Sequence, residues 1–288
     1  IMNQNNYNNK ITIIIVTFHS NEIVENLIRS IDSEIKILVI ENSLEYQLKS
    51  NLEKKYKNVE VVIPQTNLGI GGGINLGLSL VKTKYSLHLS PDVILDKEMI
   101  NTLLKYAEEI VNFSILAPRD HSYSYQTNMY LNYDKNKKYH QMKFVGGYAM
   151  FFNMKSIEKI GYFDEKIFLY FEEFDFCYRC NKANIPIYLL DEAKIKHIGN
   201  SSIKKEYSHE IQINRNWHYC WSKFYFLKKN YNYLWGIKET IPNLVKSLKL
   251  CFYYLLKREK KNLDLHKAEF KGLISSYLLR KSSHRPKI

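Results

Sequence analysis

Three carboxylates, Glu172, Glu173 and Asp175, fall within one short stretch whose neighbours are Phe168, Tyr170, Phe171, Phe174 and Phe176. Acids in so apolar a setting hold their protons more tightly, which suits a general base working near neutral pH. The positive end of a helix would welcome the same charges for stability alone, so both readings stand at this point. Arg179 lies one turn beyond Asp175 and is spaced to pair with it, which leaves Glu173 the freer carboxylate and Asp175 the second choice. A fourth acid, Asp92, stands in Ser90-Pro-Asp just after the apolar residues 85–89. There it can hold a divalent cation against a diphosphate, or simply close a turn on its own backbone. His197 ends another apolar run; it is a ligand if Asp92 lies near it and a structural histidine otherwise.

Residues 67–77 concentrate Asn67, Gly69, Gly71, Gly72, Gly73, Asn75 and Gly77. Glycines let a backbone approach a ligand and free N–H groups for an anion at a helix start, though a tight strand-to-helix turn would use them equally. The dinucleotide fingerprint fails, because it needs glycine at Ile74 or at Leu76, and the P-loop lysine is missing. Cys177 and Cys180 form a C-x-x-C with no second pair to complete a tetrahedral site, so they read as small core residues rather than a zinc or redox centre.

These groups need a scaffold. β-branched density marks strands at residues 11–17, 36–40, 59–63, 85–89 and 114–117, with helical patterns at 21–31, 44–56, 68–80 and 96–111 between them. Such alternation gives β-α-β units and a mainly parallel sheet, which binds ligands at the carboxyl ends of its strands. The candidate residues fall at those ends. Residues 121–143 show no period and read as an irregular excursion. Beyond them come a strand at 148–153, a helix at 155–160, a helix beginning near Phe171, and strands at 187–190 and 194–197.

Of the 288 residues, 45% are hydrophobic, enough to bury a core, and no apolar run approaches the length of a membrane span. The polar start lacks a signal-peptide core, so the expected location is the cytoplasm. The whole net charge of +13 sits at the end: residues 204–288 hold 19 Lys and Arg against 6 Asp and Glu, while the preceding part balances at 23 against 23. Two regions are therefore expected, a catalytic body at 1–203 and a helical, basic, aromatic-rich region at 204–288. Residues 244–257 are amphipathic and suit an anionic membrane surface, or packing on the body with a solvated basic face. A nucleic-acid partner is not expected, since no binding module is present and the carboxylates would go unexplained.

In order, the chain shows a strand ending at Thr17, Glu41-Asn-Ser43, Asn67-Leu-Gly69 with Asn75-x-Gly77, Pro91-Asp92, Gly146-Gly147, Ile160-Gly-Tyr-Phe-Asp164, Phe171-Glu-Glu-x-Asp175, and His197 ahead of Ser201. This succession resembles the inverting family-two glycosyltransferases, and within them the bacterial rhamnosyltransferase-like branch. The resemblance implies a GT-A fold: α/β, Rossmann-like, a mainly parallel sheet flanked by helices, here with a helical basic extension. It implies transfer from a nucleoside-diphosphate sugar, of dTDP-rhamnose or UDP-hexose type, to a glycan or polyprenyl-linked acceptor in surface polysaccharide synthesis, at the inner face of a bacterial membrane. By position, Thr17, His19, Glu41, Asn67, Gly69, Gly73, Asn75, Ser90 and Asp92 would serve the nucleotide sugar. Asp92 and His197 would hold Mg²⁺ or Mn²⁺. Gly146, Gly147, Tyr170 and Glu172 would lie on the acceptor side, with Glu173 the base and Asp175 its alternate. The chain departs from the family pattern at Ser90, Glu41 and His19, and carries Glu172-Glu173 where Glu-Asp is usual. A nucleotidyltransferase or a catalytically impaired nucleotide-sugar binder is the alternative those departures leave.

Overall fold

The computed structural model describes residues 10–199 and 208–286. Ser201, the expected boundary between residues 203 and 204, and the polar start at residues 3–6 lie outside the described residues. The described chain divides into two units: residues 10–163 with 176–199, and residues 164–175 with 208–286. The segment carrying Tyr170, Glu172, Glu173 and Asp175 thus groups with the C-terminal helices.

The first unit is built on ten strands. β1 (Ile11–Thr17), β2 (Lys36–Glu41), β3 (Val59–Val62) and β4 (Tyr85–Leu89) alternate with α1 (Asn21–Arg29), α2 (Tyr46–Lys55) and α3 (Gly69–Leu80). All seven residues of β1 are buried, as a central parallel strand covered on both faces requires. α1 turns Val24, Leu27 and Ile28 inward at helical spacing. Then follow β5 (Val93–Leu95), α4 (Met99–Glu109), β6 (Ile115–Asp120), β7 (Tyr130–Asn132), β8 (Tyr139–Met142), β9 (Ala149–Asn153), α5 (Met154–Ile160) and α6 (Glu172–Lys182). β10 (Ile187–His197) closes the sheet, and α6 contributes its residues from Phe176 onward to this unit.

The strand order is β3-β2-β1-β4-β9-β6-β10-β8-β7, with β5 paired to β10. β3, β2, β1 and β4 are parallel, and β6 runs parallel to β10; every pairing made by β9, β8, β7 and β5 is antiparallel. The sheet is therefore mixed, parallel in its first half. Residues 130–142 correct the expectation of an irregular excursion: they hold the β7–β8 pair, with β8 joined to β10. The two strands expected at 187–190 and 194–197 are one, continuous through an irregularity between Leu190 and Lys194. One core cluster takes in Ile14, Val16, Ile74, Phe152, Phe163, Phe176, Cys177 and Cys180. Burial raises the Cys180 thiol to about 11, so this C-x-x-C behaves as core.

The second unit comprises α7 (Ser208–Asn230), α8 (Tyr233–Leu256) and α9 (Lys260–Tyr277) with residues 164–175. Trp217, Trp221 and Ala268 form one of its small cores, and Cys220, Phe224 and Leu273 another. Gly272 meets Trp217 so closely that an added Cβ would lie 2.2 Å from its carbonyl oxygen. No described helix is long and apolar enough to cross a membrane.

Candidate active site

The ends of β1 and β2 are locked together. Thr17 Oγ1 donates to Glu41 Oε2 at 2.9 Å, and Glu41 Oε1 accepts from the Ser43 amide at 2.5 Å and from its hydroxyl. Glu41 has no accessible surface; burial raises its pKa against the lowering effect of those bonds. With both oxygens engaged, Glu41 braces the two loops. His19, held at φ +50°, donates its amide to Ser43 Oγ at 2.8 Å, and its Nδ1 lies 2.7 Å from Glu45 Oε1.

The Asn and Gly residues after β3 are mostly structural. Asn67 Oδ1 accepts from the Gly69 amide at 2.9 Å, and Asn42 Nδ2 donates to the Gly69 carbonyl at 2.9 Å, tying the β2 end to the start of α3. A Cβ on Gly73 would sit 2.7 Å from Val16 Cγ1, and one on Gly77 2.6 Å from Ile14 Cγ2. Those glycines let α3 lie directly on β1 in close packing. Asn75 pairs with the backbone of Phe163, donating to its carbonyl at 3.0 Å and accepting from its amide at 2.9 Å. Of the expected nucleotide contacts, Glu41, Gly73 and Asn75 thus have internal duties.

Past β4 the picture is chemical. The Ser90 amide donates to the Tyr148 carbonyl at 2.8 Å, and β5 then runs antiparallel to β10 with Val93 opposite His197. That ladder brings His197 Nε2 to 3.3 Å from Asp92 Oδ1, and Asp92 is nearly buried. The ring of His197 stacks on Tyr148 with centroids 4.4 Å apart. Behind it, Asp120 at the end of β6 accepts from the Ser122 amide and hydroxyl, at 2.8 and 2.7 Å, and from the His197 amide at 3.3 Å. Gly146 makes room for this group, since a Cβ there would lie 2.3 Å from the Tyr148 ring. Gly147 completes the same loop ahead of Tyr148. One carboxylate and one imidazole at this spacing suit a divalent cation that takes its other ligands from a diphosphate. No group of three or more potential metal ligands occurs among the described residues, so the fit is to an open two-donor site and not to a closed cage.

In the second unit the carboxylates separate by environment. Tyr170 and Phe171 both adopt left-handed backbone, at φ 64° and 68°, an uncommon conformation for aromatic residues, immediately before α6. Glu172 and Glu173 each keep Oε2 enclosed with no hydrogen-bond partner among the described residues. Burial, then the neighbouring charge of Glu173, raises Glu172 well above the usual carboxylate range; burial raises Glu173 to about 7. Asp175 is different. It is fully buried, with Lys229 Nζ 2.8 Å from its Oδ1 and Asn230 Nδ2 at 3.1 Å from the same oxygen. Lys229 also reaches Asp164 Oδ2 at 2.8 Å, where Tyr225 donates as well. Arg179, expected to serve Asp175, donates to the carbonyls of Ile160, Gly161 and Tyr162. Asp175 is thus engaged by a cation and an amide, whereas Glu172 and Glu173 each keep an enclosed oxygen.

The sequence profile of glycosyl transferase family 2 matches residues 12–161. The chain belongs to glycosyl transferase family 2. Among curated relatives, the low-salt glycan biosynthesis hexosyltransferase Agl10 of Haloferax volcanii is 28% identical over 197 residues, 62% of this chain and 63% of the relative. The chain thus aligns with less than two thirds of that relative's length. Among solved structures, a mannosyltransferase from Pyrobaculum calidifontis in complex with GDP-Man and Mn²⁺ superposes with a TM-score of 0.60 at 10% identity, covering 94% of this chain and 88% of that one. TarS of S. aureus (1–349) superposes with a TM-score of 0.54 at 15% identity, covering 94% and 92%. The fold is therefore GT-A.

Within this family-2 chain, sequence reasoning misses Asp120 and Tyr148, which complete the geometry around His197, and Lys229, which completes that around Asp175. Asp120 carried a usable signal, a carboxylate ending an apolar strand as Asp92 does; reading that strand as finished at residue 117 hid it. Lys229 carried none, being one lysine in a lysine-rich region.

Proposed function

We propose that this protein transfers a sugar from a nucleoside-diphosphate sugar to a hydroxyl of a glycan or polyprenyl-linked acceptor, with inversion at the anomeric carbon. The observation that carries this reading is the Asp92–His197 pair, 3.3 Å apart at the carboxyl ends of the strands of a family-2 chain. The relatives support it by name: a hexosyltransferase of glycan biosynthesis, a mannosyltransferase crystallised with GDP-Man and Mn²⁺, and TarS crystallised with UDP-GlcNAc. The donor is of dTDP-rhamnose or UDP-hexose type, and a lipid-linked acceptor locates the reaction at a membrane surface.

The loops after β1 and β2, braced by Thr17 and Glu41, take the base and ribose, with His19 at their accessible edge. Asp92 and His197 would hold Mg²⁺ or Mn²⁺; when bound, such an ion neutralises charge developing on the departing diphosphate. Tyr148 keeps the His197 ring oriented, and Asp120 fixes its backbone. On the acceptor side, Glu172 stays protonated and Glu173 ionises, since the pair shares one confined space and its values are driven apart. Glu173 accepts the hydroxyl proton as the acceptor oxygen bonds to the anomeric carbon and the bond to the diphosphate oxygen breaks. Direct displacement inverts the centre and needs no covalent enzyme intermediate.

A thermal-shift screen of nucleotide sugars with and without Mn²⁺ identifies the donor, and mass spectrometry of acceptor reactions identifies the product. Glu173→Gln is expected to keep the donor-induced shift and lose about 10²–10⁴-fold in transfer rate. Transfer at an undiminished rate in that variant removes Glu173 from the chemistry. Pyrophosphate release without a glycosylated product turns the reading to nucleotidyl transfer.

A further inference from the structure

α8 has two contrasting faces. One packs inside its unit: Gly236, Thr240 and Ser247 are buried, Gly236 leaves a Cβ only 2.9 Å from the Phe224 ring, and Thr240 Oγ1 bonds the Gly236 carbonyl at 2.6 Å and the Tyr277 hydroxyl at 2.8 Å. The opposite face carries Leu234, Ile241, Val245, Leu248, Phe252 and Leu256, all exposed, with Leu234 at 78%, Phe252 at 65% and Leu256 at 68%. Steps of three, four and seven residues line these up in one stripe. At about 1.5 Å per residue the stripe runs roughly 33 Å along the helix. Lys238, Lys246, Lys249 and Lys257 border it along one side, and Glu239 is the one acid of the helix. Trp235 and Tyr253, both exposed, stand on that same border, and Lys238 Nζ lies 5.0 Å from the Trp235 ring.

We propose that the outer face of α8 is a membrane-docking surface that lies in the interface of an anionic lipid bilayer. Three features of this face select that occupant. The stripe is too continuous for scattered surface hydrophobics, which cost nothing singly. The lysine border complements anionic headgroups, and long lysine stems reach upward from a shallow apolar face. Trp235 and Tyr253 sit where amphipathic rings favour the headgroup level. The helix lies on the bilayer and does not span it, since no described helix has the length and apolarity to cross. Pro242 falls within the same helix and leaves the stripe unbroken. This surface stands independently of the donor and base assignments.

Co-sedimentation of the full chain with phosphatidylcholine vesicles, with and without phosphatidylglycerol, tests it. Binding is expected to need the anionic lipid and to weaken with salt. Leu248→Gln with Phe252→Gln, two exposed positions, is expected to leave the circular dichroism spectrum unchanged and to lower partitioning about tenfold or more. Lys246→Gln and Lys249→Gln are each expected to lower it about fivefold, the equivalent of about 1 kcal/mol apiece. Donor-induced thermal shifts stay unchanged in all these variants, which separates failure here from failure of the transferase reading. Vesicle binding that persists in the Leu248/Phe252 variant overturns the proposal. So does absence of vesicle binding together with concentration-dependent self-association lost in that variant, which assigns the stripe to a second copy of this chain.

Discussion

Replacing Lys229 by methionine removes one cation from between two carboxylates of the second unit. In the native chain its Nζ is 2.8 Å from Asp175 Oδ1, 2.9 Å from Asp175 Oδ2 and 2.8 Å from Asp164 Oδ2. Asp175 has no accessible surface, and after the change it keeps the Asn230 amide at 3.1 Å. Asp164 retains the Tyr225 hydroxyl and the Lys166 amide, both at 3.0 Å. Breaking a buried ion pair from one side costs about 3–5 kcal/mol, because the stranded charge stays desolvated. The lysine side chain is 29% exposed, so water already screens it and the low end, about 3 kcal/mol, applies. Methionine preserves the packing of the stem, which isolates the charge effect. All three tryptophans of the chain, Trp217, Trp221 and Trp235, lie in this unit, so tryptophan fluorescence during urea unfolding reports on it selectively. A loss of that size moves the midpoint down by about 1–2 M urea. Lys229→Met with Asp175→Asn removes the stranded charge as well and is expected to recover more than half of the loss. A single-variant loss below about 1 kcal/mol, unchanged in the double variant, would refute the argument by showing the pair to be worth no more than a surface contact.

The Glu172–Glu173 pair predicts opposite pH trends for stability and rate. Glu173 is raised from the usual 4.5 to about 7, so the folded state binds more protons than the unfolded chain between those values and stability falls as pH rises through that window. The Glu173 share of that slope, at most about 3 kcal/mol, is expected to be lost in thermal melts of Glu173→Gln, leaving the contribution of the same sign from buried Glu172, while wild-type transfer, which needs the ionised base, rises over the same window. Gly73→Ala places a methyl 2.7 Å from Val16 Cγ1, and calorimetry is expected to show a loss of about 1–3 kcal/mol from overpacking α3 against β1. Gly146→Ala places a methyl 2.3 Å from the Tyr148 ring, which must shift and so leave His197; the Mn²⁺-dependent donor shift is expected to weaken while the melting temperature of the unliganded protein changes little.

The sequence by itself determined the alternation of strands and helices through residue 117, the placing of Thr17, Glu41 and Asp92 at strand ends, the acidic first turn of α6 and the basic character of the C-terminal region. These are local matters: β-branched runs, helical periodicity and charge composition are written in neighbouring residues. Tertiary structure alone decided which polar groups meet. The Asp92–His197 pair depends on β5, a three-residue strand too short to announce itself, pairing with a strand about a hundred positions away. Arg179 is visible from its spacing to Asp175 along the helix, but Lys229, which meets that acid at 2.8 Å, lies some fifty residues on, because a buried carboxylate draws on whichever cation packing delivers. That Gly73 and Gly77 are contact points between α3 and β1 emerges only in three dimensions, which show what lies a methyl's width from a Cα. The apolar residues of α8 had a visible period, but which of its two faces stays open was settled by how α8 packs with α7 and α9 within their unit.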